Sequence, residues 1–571
     1  MMPAQAAAFD QDAESDNRAK QRERDEIHQA DDYQAALSER SQTNTEQVAA
    51  IQAADPERNF LANLCFTYGR TCAGDIRLYD WQAKEHGIVR RVLFTARSGA
   101  TITGHVWATR SGPAKRPGIV ITNGSIQAPE TLYWFAAQSL AKAGYVVLTF
   151  DPQQQGRSDS YGEAPDQEEG TPAQTDGRPF FDGTVDAIDF FFSTQAQPFR
   201  PRPSCDSGTS HAPKQERRVA AGLNAAFNPF SEMIDYSRVG IAGHSFGAAG
   251  VSYVGQADER VKAIVAWDNL REPAPNGSGR TTIEPCPSDP SARREVPITK
   301  PALGMAADYF AGEPRSEDPD PLEKSEASRA YSEAGVDTGE IVIRGGTHFE
   351  FSFLPDPAFG ATLRGIDLVT WYTLAWFDKY VKGDPSADSR LITSRWLGDE
   401  SEAEVDPNGD GNMYSFYFRS RLDIGLEDGS RFRCEDMRRP DCGLQPDCEA
   451  VPFWYIDLAW SPDVERQPRA CRVAVSGSRG VMRLRVTPRT VAAGQRTRFR
   501  FRVTSGGRPL AGATVRFAGR RARTDRAGRV RITARFRKAG PRRARATRSG
   551  MRPATARVRV TGRSGAPRFA G

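Results

Sequence analysis

The stretch Val239-Gly-Ile-Ala-Gly-His-Ser-Phe-Gly-Ala-Ala-Gly250 joins an apolar run, a Gly-x-Ser-x-Gly pattern and a run of small residues. This order predicts a strand, a very tight turn at Ser245 and a helix, the arrangement called a nucleophile elbow. Gly243 and Gly247 leave room at the turn because they carry no Cβ to collide with the neighbouring strand and helix. The N-terminus of such a helix directs backbone N–H groups at a developing oxyanion. Ser245 is therefore a candidate nucleophile.

A serine of this kind needs a general base. Only one histidine, His348, follows Ser245, and serine, acid, histidine is the chain order that belongs with this elbow. His348 comes just after a strand-like run, Glu340–Arg344, in a predicted turn that reads Gly345-Gly-Thr-His348. We expect His348 to be the base, the alternative being an ordinary loop histidine.

Two aspartates follow the elbow at the ends of predicted strands. Asp268 follows Val265-Ala-Trp267, and Asp308 follows Met305-Ala-Ala307. Either carboxylate is able to hold the Nδ1–H of His348 and to stabilise the imidazolium that forms. The alternative for each is a solvated loop carboxylate or a helix cap. The residues alone leave the choice of acid open.

Charge is distributed unevenly along the 571 residues. The formal net charge is +5, yet the 96 residues from Ser476 onward hold 28 Arg or Lys and one acidic residue, Asp525. The preceding 475 residues hold 49 basic and 71 acidic residues, so an acidic body is followed by a very basic tail. No run of about 18 apolar residues occurs, so we expect no transmembrane helix.

The cysteines form an even set in loop-like surroundings. No Cys-x-x-Cys and no supporting histidine accompany them, which favours disulfides over zinc. Disulfides indicate an oxidising compartment, so we expect a secreted or cell-surface bacterial protein. Residues 1–8 resemble the small-residue end of an incomplete signal peptide, and we expect its start to lie upstream or to have been trimmed. The eight cysteines are Cys65, Cys72, Cys205, Cys286, Cys434, Cys442, Cys448 and Cys471.

Changes in pattern predict four segments. Residues 1–58 are charged and poor in large apolar residues, which indicates disorder or a helix. Residues 59–392 alternate strand-like and helix-like stretches, which predicts an α/β domain with a doubly wound, mostly parallel sheet. Residues 393–471 form a Cys-containing extension. Residues 472–571 alternate with period two and are punctuated by glycines, which predicts a separate, basic β-domain.

One stretch of the extension resembles half of a calcium site. Asp406-Pro-Asn-Gly-Asp-Gly411 is similar to the start of an EF-hand loop. Tyr417 stands at loop position 12, where a bidentate acid is needed. We favour a plain polar turn and predict no metal site.

The segment 89–382 resembles the platelet-activating-factor acetylhydrolase branch of the α/β-hydrolases. The similar residues are Gly243–Gly247 with Asp268 23 residues after Ser245, Asn123-Gly-Ser125, and Leu140–Val147. This resemblance implies that Asp268 is the acid, whereas the dienelactone-hydrolase and polyester-hydrolase branches imply Asp308. It also implies an oxyanion hole from the N–H groups of Phe246 and Ser125, and no metal or organic cofactor. The chain departs at Asn123, where His-Gly is usual, and in the insertion 198–235.

The basic tail carries a second resemblance. Pro509–Val515 and Thr524–Gly528 are similar to bacterial immunoglobulin-like repeats, which implies an all-β sandwich. Arginines at the outward positions indicate contact with an anionic cell envelope, docking on the acidic body, or merely a solvated face in a high-GC genome. Nucleic acid is disfavoured because few aromatic residues are interleaved and no recognition motif occurs.

Together these patterns predict a serine hydrolase that cleaves a carboxylic ester of a small molecule or lipid through an acyl-enzyme. Lipase or phospholipid acetylhydrolase, thioesterase and peptidase activity are alternatives on the same triad. A different alternative is a non-catalytic surface-binding protein with a degenerate hydrolase body. Acyl and alcohol specificity, disulfide pairing and oligomeric state are left open by the sequence.

Overall fold

The chain divides into two compact units, Met1–Cys471 and Arg472–Gly571. The structure is a computed structural model. It describes residues 30–59, 72–83, 87–125, 128–167, 177–273, 286, 296–310, 320–354, 361, 363–394, 414–415, 417–446, 480–505, 508–548, 551–552 and 554–562. The predicted calcium-like stretch 406–411 and Cys65, Cys448 and Cys471 lie outside these residues.

The first unit alternates strands and helices along the chain, as the apolar patterns predict. Its helices are α1 (Asp31–Ala54), α2 (Trp134–Lys142), α3 (Arg178–Phe192), α4 (Ala212–Ala220), α5 (Phe246–Ala257), α6 (Glu326–Glu333), α7 (Leu363–Phe377) and α8 (Ala387–Leu391). Its strands are β1 (Gly87–Thr95), β2 (Thr101–Thr109), β3 (Arg116–Thr122), β4 (Val146–Phe150), β5 (Ile234–His244), β6 (Val261–Trp267), β7 (Ala302–Tyr309), β8 (Thr338–Thr347), β9 (Thr393–Ser394), β10 (Arg421–Gly425), β11 (Arg431–Cys434) and β12 (Gln445–Pro446).

Ten of these strands form one mixed sheet in the order β1-β2-β4-β3-β5-β6-β7-β8-β10-β11. The six central strands, from β4 to β8, are parallel. An antiparallel pair flanks them on each side. The fold is therefore mixed α/β. The centre of the sheet is parallel, as predicted, and its margins are antiparallel.

The sheet is buried on both faces. On β3, Ile119 and Ile121 point into one apolar cluster and Val120 into the other. Helices α2 and α7 contribute to the first cluster, and α3 and α5 to the second. Strands β3 and β4 are buried along their whole length. Burial on both faces explains why such strands read as continuous apolar runs in the sequence.

Three regions show contacts or bounds that the sequence patterns do not predict. Helix α1, in the charged N-terminal segment, packs through Tyr33 and Leu37, and Arg58 just beyond it pairs with Asp159. Strands β10 and β11, in the expected extension, join the main sheet beside β8. Strand β8 continues to Thr347, so the predicted turn Gly345–His348 is shorter than expected. A shift in the register of β7 against β8 places Tyr309 opposite Thr347.

The second unit is built from short strands around its own core. They form two five-stranded sheets, one containing β13, β15 and β19 and the other β17, β20 and β22. Phe499, Phe501 and Phe517 pack edge-on inside. The strands are β13 (Gly480–Thr487), β14 (Thr490–Ala492), β15 (Arg496–Ser505), β16 (Arg508–Pro509), β17 (Thr514–Phe517), β18 (Arg520–Arg523), β19 (Arg529–Arg535), β20 (Gly540–Thr547), β21 (Met551–Arg552) and β22 (Ala554–Thr561).

Two disulfides join pairs of described cysteines, Cys205–Cys286 and Cys434–Cys442. The first fastens the insertion 198–235 to the segment before β7, and the second closes a short loop after β11. Cys72 is disulfide-bonded as well. No helix among the described ranges is long and apolar enough to cross a bilayer.

The two disulfides should differ in their contribution to stability. They close loops with sequence separations of 81 and 8 residues. The chain-entropy model then gives about 4.5 kcal/mol for the long loop and about 2.5 kcal/mol for the short one. We expect the double variant C205S/C286S to lower Tm more than the matched control C434S/C442S in thermal unfolding without reductant. An equal decrease in Tm for the two variants, or a larger decrease for C434S/C442S, would contradict the Cys205–Cys286 disulfide.

Candidate active site

The turn between β5 and α5 is as tight as the sequence predicts. Ser245 has φ 58° and ψ −118°, a conformation that non-glycine residues rarely adopt. A Cβ on Gly243 would lie 2.3 Å from the carbonyl oxygen of Gly247, and one on Gly247 would lie 2.4 Å from that of Asn123. Both positions therefore require glycine. The turn lifts Ser245 to the carboxyl edge of the sheet, at the N-terminus of α5.

The other predicted residues reach the same edge. Asp268 directly follows β6, and His348 directly follows β8. The Ser245 N–H donates to the carbonyl of Trp267 at 2.9 Å, and the Asp268 N–H donates to that of Met305 at 2.7 Å. Because parallel strands end at one edge, residues far apart in sequence converge there.

Asp268 and His348 form a buried pair. The Nδ1 atom of His348 lies 2.5 Å from Oδ2 of Asp268, and Nζ of Lys324 lies 3.9 Å from the other carboxyl oxygen. Burial by itself raises the pKa of Asp268, but Lys324 and His348 outweigh it and hold that pKa well below its usual range. Asp268 is therefore a carboxylate, able to orient His348 and to stabilise its protonated form.

Asp308, the other candidate acid, faces elsewhere. It sits on β7, and its Oδ2 accepts a hydrogen bond from the N–H of Gly345 on β8 at 2.7 Å. Its carboxylate thus fixes the strand that leads to His348. The geometry associates the histidine with Asp268.

The segment Asn123–Ser125 borders the serine. A Cβ on Gly124 would lie 3.0 Å from the Cβ of Ser245, so the backbone passes directly beside it. The Asn123 amide donates to the carbonyl of Ala128 at 2.9 Å and to the carboxylate of Asp151 at 3.1 Å. Phe246 is the first residue of α5, where N–H groups have no intrahelical partner. The predicted oxyanion donors thus lie in segments that flank Ser245.

A hydrogen-bonded chain connects that segment to His348. The Gly124 N–H donates to the Tyr133 hydroxyl at 3.1 Å, which lies 2.7 Å from Nδ1 of His244. Nε2 of His244 lies 2.9 Å from the carbonyl oxygen of His348. Since that carbonyl only accepts, His244 carries its proton on Nε2 and accepts the hydroxyl proton at Nδ1. His244 occupies the variable position of the motif, and no local pattern in the sequence indicates this role.

Two further groups shape the site. Phe310 stacks on the His348 ring at 4.9 Å between centroids and is 71% exposed, so it offers an apolar surface beside the base. Glu340 is fully buried on β8, and burial together with the charge of Asp268 raises its pKa well above the usual range. Burial thus favours the protonated form of Glu340. No cluster of three or more possible metal ligands occurs within the described ranges.

Comparisons with known proteins give limited information. No protein-family profile matches the chain, and no curated protein matches it. Among solved structures, the chain is similar to a ferulic acid esterase from Streptomyces cinnamoneus, with 17% sequence identity and a TM-score of 0.32. That match covers 52% of this chain and 90% of the other. A similarity at this TM-score identifies neither a fold nor an activity.

The buried His244 should make stability pH-dependent. Burial, followed by the neighbouring His348, lowers the pKa of His244 from 6.5 to about 3. Because the folded-state pKa is depressed, the stabilisation is complete above the unfolded value and is lost as pH falls toward about 3, by at most about 1.4 kcal/mol per pH unit. We expect His244→Gln to flatten the decline in Tm over this acidic range. Parallel profiles for wild type and variant would contradict a neutral, buried His244.

Proposed function

We propose that the chain is a serine hydrolase of the α/β-hydrolase class that cleaves a carboxylic ester. The observation that carries the proposal is the buried Asp268–His348 pair at the sheet edge where the strained turn presents Ser245. A carboxylate, an imidazole and a serine on such a turn are the components of nucleophilic acyl transfer.

The first half of the reaction uses this set directly. His348 removes the proton from the Ser245 hydroxyl, and the serine oxygen attacks the ester carbonyl carbon. Asp268 stabilises the imidazolium while remaining ionised, consistent with its lowered pKa. The protonated His348 then gives its proton to the departing alcohol oxygen, and the acyl group stays on Ser245.

The second half returns the enzyme to its starting state. His348 takes a proton from water, the resulting hydroxide attacks the acyl carbonyl, and the acid leaves as Ser245 regains its proton. In both halves the N–H groups of Phe246 and Ser125 stabilise the tetrahedral oxyanion. One such donor is typically worth about 10²–10³ in kcat.

The surroundings favour an ester with an apolar part. Phe310 provides an exposed aromatic surface against His348, next to the carbon that would be attacked. A lipid or phospholipid ester and a small aliphatic ester share this chemistry, as do thioesters. The two disulfides support a location in an oxidising compartment outside the cytoplasm. We further propose that the second unit, with two sheets around one core, is an immunoglobulin-like sandwich.

Ester hydrolysis can be tested with p-nitrophenyl esters from acetate to palmitate. We expect wild type to hydrolyse part of the series, with Ser245→Ala reducing kcat by about 10⁴–10⁶. Asp268→Asn should reduce kcat by about 10⁴, because the histidine loses its orienting charge. Asp308→Asn is the matched control and should lose far less, since that carboxylate binds the Gly345 amide.

Two outcomes would change the assignment. If kcat falls more in Asp308→Asn than in Asp268→Asn, Asp308 is the acid of the triad and the proposed reaction class is unchanged. Wild type that matches Ser245→Ala across the series, and that fails to react with a fluorophosphonate probe, would overturn the hydrolase proposal. It would leave a surface-binding protein with an inactive hydrolase body.

The role of Phe310 has its own test. Phe310→Ala removes apolar surface near the base without touching the acid or the nucleophile. We expect KM to rise several-fold for long acyl chains and little for acetate, with kcat for acetate near wild type. Phe310→Tyr keeps the ring and is the control. A uniform fall in kcat across the series would show that the ring acts by holding His348 instead.

A further inference from the structure

One outer face of the second unit is an array of arginines. Strands β13, β15 and β19 are neighbours in one sheet, and their alternate side chains point away from the core. The outward positions are exposed. Nine of them are arginine: Arg483, Arg485, Arg496, Arg498, Arg500, Arg502, Arg529, Arg531 and Arg535.

The register places these arginines against one another. Arg485 faces Arg502, which in turn faces Arg529 across the next strand pair. Arg500 faces Arg531 in the same way. Like charges directly opposite on neighbouring strands destabilise a sheet. Within the part of the chain that the structure describes, none of the nine guanidinium groups forms an ion pair, so the repulsion is not relieved internally.

The opposite outer face repeats the pattern. In the second sheet Arg516 faces Arg521 on one side and Arg545 on the other. Arg543 faces Arg557. The exposed arginines of this face are Arg516, Arg521, Arg523, Arg543, Arg545, Arg557 and Arg559. Both outer faces are therefore cationic, with the shared apolar core between them.

The geometry restricts the kind of anion that fits. Neighbouring strands are about 4.8 Å apart and alternate residues about 6.7 Å apart, so each outer face is a lattice of guanidinium groups. A phosphate has non-bridging oxygens that two adjacent guanidinium groups can bind together. A planar bilayer would contact one face at a time, whereas a flexible polymer can follow both.

The described residues of this unit offer nucleobases no aromatic surface on which to stack. Single-stranded nucleic acids are held largely by aromatic side chains on which bases stack. The aromatic residues in the described part of the unit are Phe499, Phe501, Phe517 and Phe536, and all four are buried in its core. The described surface of this unit therefore offers cations without aromatic rings.

We propose that the second unit binds a flexible, base-free polymer of linked phosphate groups on both arginine faces. This binding is separate from the proposed hydrolysis and does not depend on it. The polymer would hold the full chain by many weak, salt-sensitive contacts, as expected when cations displace condensed counterions from a polyanion.

The test uses the full-length protein and long-chain inorganic polyphosphate as the probe. Affinity is measured over a series of salt concentrations for wild type and for R485Q/R502Q/R529Q, which removes one row of the first face. We expect binding at least tenfold weaker and a logarithmic salt slope reduced by about 2, since each contact contributes about 0.7. R516Q/R521Q/R545Q, on the other face, should have a similar effect. Ester hydrolysis should stay at the wild-type level in both variants.

The matched control, R90Q/R110Q/R200Q, removes the same charge from exposed arginines of the first unit. Equal weakening by this control would overturn the proposal, because binding would then follow net charge alone. Wild-type affinity in either arginine variant would overturn the proposal that both faces bind the polymer. Failure of the wild type to bind polyphosphate at low salt would also overturn it.

Two competitors separate the other sources of anions. Single-stranded DNA of mixed sequence and equal phosphate number should bind no more tightly than polyphosphate. Tenfold tighter binding to DNA would show that bases contribute and would favour a nucleic acid. Retention on vesicles of anionic lipid that polyphosphate fails to displace would favour a membrane surface.

Discussion

The whole site depends on a turn that leaves no space for a side chain at two positions. A Cβ at Gly243 or Gly247 would enter the van der Waals shell of backbone oxygens from the facing segment, so the strand, the turn and helix α5 pack at backbone distance. Only at this distance does the Asn123–Ser125 segment lie against Ser245. The strained backbone of Ser245 is therefore maintained by close packing on every side, and the serine is held at the edge of the sheet instead of relaxing into it.

Besides close packing, a polar network connects the segments around Ser245 and His348. His244, next to Ser245, hydrogen-bonds to the backbone of His348, and through Tyr133 it reaches the N–H of Gly124. Three segments that are remote in sequence are thus joined by neutral, buried groups. A charged group at this position would attract or repel the imidazolium that the proposed reaction forms on His348. Burial keeps His244 neutral, so it binds the backbone of His348, the proposed base, without adding a charge.

Much of this arrangement follows from local sequence, and the rest depends on long-range contacts. The elbow, the parallel strands and the position of His348 were predictable because glycine spacing, apolar runs and chain order are local signals. The choice between Asp268 and Asp308 was not, since both end adjacent parallel strands, and only the resemblance favoured Asp268. The His244–Tyr133 bond joins residues 111 positions apart, and no spacing rule predicts it. Strands β10 and β11 escaped prediction because short strands at the margin of a sheet resemble loops in sequence.

The margins of the main sheet have a consequence for the behaviour of the protein at high concentration. Strand β11 ends the sheet with only four residues, and its Arg431 and Arg433 pair with Asp423 on β10. At the other end, β1 exposes Arg90 and Arg91 near its middle. An open strand edge is a template for addition of a second chain, and short or charged edges discourage that addition. A ten-stranded sheet can thus remain dispersed because its outermost strands resist edge-to-edge aggregation into fibres.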